Sequence, residues 1–79
     1  MKTNTIPGTY GNAQTPCNVL TYQNRNGSTW YAVEGSRNVN LSPDPLSPGV
    51  DVETVQDIDT ATSAEPIETE QQLADFIEN

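Results

Sequence analysis

The apolar positions of this chain alternate with polar ones in short runs until its last dozen residues, where the spacing becomes that of a helix. In the segment 17–35, CNVLTYQNRNGSTWYAVEG, two β-branched and aromatic runs flank Asn26 and Gly27. Asn-Gly suits a two-residue type I′ turn, whose central residues both need positive φ. The pattern therefore predicts a hairpin in which Tyr22 faces Tyr31 and Leu20 faces Val33, with Val19, Thr21, Trp30 and Ala32 on the opposite face. A second turn at Gly35 and Ser36 leads to a third antiparallel strand, with Val39 and Leu41 on one side and Asn38 and Asn40 on the other. Prolines 43, 45 and 48 make 42–49 a loop, since proline cannot sit inside a sheet.

The next stretch, VDVETVQDID at 50–59, alternates Val50, Val52, Thr54, Gln56 and Ile58 with Asp51, Glu53, Val55, Asp57 and Asp59. A fourth strand is the expectation, because Val and Thr favour strands. Helical spacing of Val52, Val55 and Ile58 is the rival, but no cap is evident nearby. The chain closes with PIETEQQLADFIEN, where Thr69 and Gln72 form a T-x-x-Q capping box and Leu73, Phe76 and Ile77 fall on one stripe. That predicts about two turns of amphipathic helix. Residues 1–16, rich in Thr, Asn, Gly and Pro, form an N-terminal arm or edge strand, and 17–79 form a single small domain. The expected class is α+β: a small antiparallel sheet of about four strands, begun by an N-terminal meander, with one short C-terminal helix packed on it.

Composition limits what such a fold can hold. At 79 residues and 33% hydrophobic content, the core is small, and a domain of this size buries only about 60% of its unfolded surface. Charge narrows the picture further. Eleven acids face three bases and no histidine, for a net charge of −8. Bare nucleic acid is thereby disfavoured as a partner, since phosphate binding needs clustered Lys and Arg. A basic surface of a larger protein or nucleoprotein complex is favoured instead. Lys2, Arg25 and Arg37 lie in the first half, whereas ten of the acids follow Glu34, so the molecule is electrically polarised. The single Cys17 cannot form an internal disulfide, and no run of 18 apolar residues or export signal is evident; a cytoplasmic setting, that of a host cell for a phage-encoded chain, is expected.

Candidate chemistry is sparse. Asp57 and Asp59 are oxygen donors, but Thr62 stands where a calcium loop of the D-x-[DN]-x-[DN]-G type requires glycine, so no metal or other cofactor is expected. Without histidine or a nucleophile set beside a base, no catalytic residue is assigned and an enzyme is not expected. Asn26 and Asn40 begin N-glycosylation patterns that no export signal accompanies.

The alternating acids remain. Residues two apart in a strand are separated by about 6.6–6.8 Å, the scale on which a nucleic-acid backbone spaces its phosphates. Asp51, Glu53, Asp57 and Asp59, aided by Glu65, Glu68 and Glu70, are thus the candidate partner-binding residues, with Trp30 as an exposed aromatic anchor. The plainer reading is a solvated strand face that keeps a small protein soluble. In size, charge and lack of catalytic motifs the chain resembles the anti-defence proteins of phages and plasmids, including anti-CRISPR proteins, anti-restriction proteins and inhibitors of DNA-repair glycosylases. Composition alone carries that likeness. It implies a small non-enzymatic inhibitor that binds a basic, nucleic-acid-binding partner, in its sharpest form as a nucleic-acid mimic. The alternatives are a virion, assembly or self-associating structural protein, forming a homo-oligomer, and a regulatory module that folds fully only on its partner.

Overall fold

The computed structural model describes residues 2–79 and shows a small, mostly β protein with one short C-terminal helix. Its strands are β1 (Lys2–Tyr10), β2 (Thr15–Gln23), β3 (Thr29–Val33), β4 (Ser36–Ser42), β5 (Val50–Asp51) and β6 (Asp59–Ile67), followed by α1 (Glu70–Glu78). They form one mixed sheet in the order β5-β1-β2-β3-β4-β6. About four antiparallel strands were expected and six are present among the described residues; β5 runs parallel to β1, and the other pairings are antiparallel.

The segment 2–10 pairs with β2 along its whole length, from Lys2 opposite Gln23 to Tyr10 opposite Thr15. Pro7 is tolerated because it sits on the outer side of β1, where its carbonyl accepts from the Gly49 N–H at 2.7 Å. Gly8 is needed at the next position. A Cβ there would lie 2.8 Å from the Val50 carbonyl oxygen and 2.9 Å from Val19 Cγ2, so only glycine lets β5 approach.

The β2–β3 hairpin is present, but its register differs by one residue from the expected one. Asn24 N–H donates to the Ser28 carbonyl at 2.8 Å and Gly27 N–H to the Asn24 carbonyl at 3.2 Å, with Gly27 at φ 92°. This is a three-residue loop closed by a left-handed glycine, rather than a two-residue type I′ turn. The Asn26 side chain sets it by accepting from Ser28 N–H at 3.0 Å and Ser28 Oγ at 2.6 Å. Tyr22 consequently pairs with Trp30, Leu20 with Ala32, and Thr21 with Tyr31. Since a slip of one residue turns every β3 side chain over, Trp30 joins the face of Leu20 and Tyr22, and Tyr31 joins that of Val19.

Each face is covered by a different layer. On one, Leu20, Tyr22, Ala32, Val39 and Ile67 pack against Leu73 and Ala74 of α1, with Trp30, Phe76 and Ile77 at the margin. The predicted capping box is formed: Thr69 accepts from Gln72 N–H, and Gln72 accepts from Thr69 N–H at 3.0 Å. On the other face, Ile6, Val19 and Tyr31 pack against Leu46, Val50, Val52 and Val55. Those four come from 43–58, a strap that crosses the sheet from β4 to β5 at one edge and returns to β6 at the other.

The strap corrects the expected fourth strand at 50–59. Only Val50 and Asp51 are extended in β5; Val52–Thr54 make a 3-10 turn. The cap that the sequence seemed to lack is Asp51, whose Oδ1 accepts from Glu53 N–H at 3.1 Å, while Thr54 Oγ1 donates to the Asp51 carbonyl at 2.9 Å. Val52 and Val55 both turn inward, as the rival helical spacing implied, but Ile58 is 56% exposed. The strand that follows is β6, and its alternation begins where the expected one ends.

Candidate acidic interaction surface

Carboxylates on both covering layers hold those layers to the sheet. On the strap side, Asp57 accepts from the hydroxyl of Tyr31 and from Asn40 Nδ2, the latter at 3.0 Å. Tyr31 and Asn40 face each other on β3 and β4, so their side chains meet Asp57 together. On the helix side, Glu78 accepts from the Tyr22 hydroxyl at 3.0 Å and Glu70 from Thr5 Oγ1 at 2.7 Å. Consecutive tyrosine-bearing strands thus anchor opposite layers, because their register sends Tyr22 and Tyr31 to opposite faces.

These contacts also set the tyrosine protonation. Burial, then the bond to Asp57, pushes the Tyr31 hydroxyl well above the usual tyrosine range. Burial and the Glu78 bond raise Tyr22 as well. Neither phenol is available as a base or nucleophile near neutral pH. The Cys17 thiol is pushed up by partial burial and by the charge of Asp51, which makes it a poor nucleophile.

The predicted site residues do not line up as a row. Asp51 is half-buried as the cap of the strap turn, Glu53 is exposed on that turn, and Asp57 is exposed but tied to the sheet. Asp59 begins β6 opposite Leu41, and Glu65 lies further along the same strand. Glu68 is exposed before the helix, and Glu70 is half-buried in its first turn. Trp30 is half-buried in the helix-side cluster instead of standing alone as an anchor. The expected single ladder of phosphate-like spacing is therefore replaced by charge spread over the strap, the β6 edge and the helix.

Among the described residues, the hydrogen bonds to Asp51, Asp57, Asp59, Glu70 and Glu78 come from neutral donors: the hydroxyls of Thr5, Tyr22 and Tyr31, the amide of Asn40, and backbone N–H groups of Glu53 and Thr60. Such bonds position the acids without cancelling their charge. An open hollow of about 340 Å³ lies beside the Tyr31–Asp57 bond, walled by Asn38, Asn40, Val52 and Glu53. Among the described residues no three acid or thiol side chains converge as metal ligands would. No helix among the described residues is long and apolar enough to cross a membrane.

The sequence reading missed the anchoring tyrosines and β6. A signal for the first was present in Tyr22 and Tyr31, whose hydroxyls need partners when the ring is buried. For β6, Thr60, Ala61, Thr62, Ser63 and Ala64 offer too little apolar contrast to register as a strand. No family model, curated protein or solved structure matches the chain.

Proposed function

We propose that this chain is a small acidic binding protein, with no catalytic chemistry of its own, that docks on a basic surface of a larger nucleic-acid-binding protein and inhibits it. An anti-defence inhibitor of a phage or plasmid, of the anti-CRISPR type, is the specific form of this reading. One observation carries it: the chain has a net charge of −8, and among the described residues its strap and helix carboxylates that bond to the sheet do so through neutral donors, leaving their charge for an outside cation. Glu53, Asp59, Glu65 and Glu68 are the exposed acids best placed to meet Lys or Arg, while Asp51, Asp57 and Glu70 keep the layers in place. Charge steering would speed association and fade with salt.

The test is affinity capture on the tagged chain from cells of its native host, with mass spectrometry and a salt series. Recovery of a nuclease or other nucleic-acid-binding protein that elutes as salt rises supports the reading. Recovery of capsid or tail proteins would favour an assembly component, a second reading suggested by the exposed Ile58 and the unpaired side of β6.

A further inference from the structure

β6 is the last strand of the sheet, paired with β4 from Asp59 opposite Leu41 to Thr62 opposite Asn38 and again at Ile67, with an irregularity between. Its other side faces no strand among the described residues. The amides of Thr60 and Glu65 donate to Asp59 Oδ1 at 2.9 Å and Ser63 Oγ at 3.2 Å, short neighbouring side chains that an incoming strand would displace. Thr60, Thr62 and Ala64 are exposed and small, so a second backbone can come close.

We infer that the outer edge of β6 accepts an extended, Lys- or Arg-bearing segment of the partner, which adds as a further strand along 59–65. This rests on the proposed function and states where and how the basic partner docks. Charge complementarity selects the occupant. Asp59, Glu65 and Glu68 are exposed along or just after this edge, so cations flanking an incoming strand find acids at both ends. A second copy of the chain would bring like-charged ends together on antiparallel pairing. The opposite edge is a poor alternative: β1 carries Lys2, lacks the Pro7 N–H, and is overlapped by β5 at Gly8 and Thr9.

The experiment is a titration of the full chain, followed by NMR amide shifts and hydrogen exchange, with a nine-residue synthetic peptide alternating Lys with Val or Thr. The same peptide N-methylated at alternate residues keeps the charge and loses main-chain donors. Binding should slow exchange at amides in 59–65, and N-methylation should weaken it about tenfold, as expected for losing a few main-chain bonds. Equal, salt-sensitive binding of both peptides, with shifts confined to 51–57 or to α1, would overturn edge docking and leave the acidic-surface reading standing. Binding of neither peptide, or dimerisation of the free chain through 59–65 in sedimentation, would overturn it too. The broader reading fails separately, if host capture yields no salt-sensitive basic partner.

Discussion

On one face of the sheet α1 lays nine residues, two of them, Leu73 and Ala74, buried in the cluster that holds Leu20, Tyr22 and Val39. On the other face the strap 43–58 buries no residue fully, and its Leu46, Val50, Val52 and Val55 are only partly covered. The helix combines apolar burial with a backbone satisfied by the capping box and the helical ladder, and adds two side-chain ties to the sheet, Glu70 to Thr5 and Glu78 to Tyr22. The strap lacks that regularity and holds by a few specific ties: the parallel pair at Gly8 and Val50, the Asp51 cap, and the Tyr31–Asp57–Asn40 cluster. Regular structure thus lets a covering layer depend on burial, whereas an irregular one depends on polar anchors that single substitutions can cut.

The largest difference should appear on truncating apolar side chains. Leu73→Ala leaves a cavity in a fully buried site and should cost about 2–5 kcal/mol in urea unfolding, close to the whole stability of so small a domain. Val55→Ala, at a half-buried position, should cost about 1 kcal/mol. Equal costs would break the comparison.

Next in size is Gly8→Ala, where the new methyl meets the Val50 carbonyl and Val19. The expected cost is about 1–3 kcal/mol. Amide exchange should quicken at Val50 and Val52 and stay slow in α1, because the collision is confined to the strap side. Smaller again is Thr69→Ala, which removes the helix cap and should cost about 1 kcal/mol, with faster exchange at Gln72.

The pH-dependent effect, read at high pH, belongs to the two tyrosines. Each ionises near pH 10 when unfolded but keeps its proton to higher pH when folded. The unfolded chain therefore releases protons first, so this contribution is complete below about pH 10 and is lost as pH rises above it. Tyr31→Phe should flatten the alkaline fall in stability more than Tyr22→Phe, since Tyr31 carries the larger upward shift.

The same contrast explains what could be read from the chain alone. The helix was legible because its signals are local: Thr69 and Gln72 cap it, and Leu73, Phe76 and Ile77 mark its buried side. The three central strands were legible from their alternation, but the register of β3 was not, since it turned on whether Asn26 takes positive φ or lends its side chain to Ser28. The strap was misread because Asp51, Glu53, Asp57 and Asp59 mimic strand alternation, while what decides its path is contact with Gly8, Val19 and Tyr31, far away in sequence. Most of the candidate acids are exposed; their division into anchors and outward charges depends on Thr5, Tyr22, Tyr31 and Asn40 and had no local signature.

That division can be tested directly by repeating the salt-graded host capture with the chain and with a variant combining Glu53→Gln, Asp59→Asn, Glu65→Gln and Glu68→Gln. We expect the chain to retain a nucleic-acid-binding protein and the variant, with its urea midpoint little changed, to lose it. Retention of the same protein by both, at the same salt, would contradict docking through outward-facing charge.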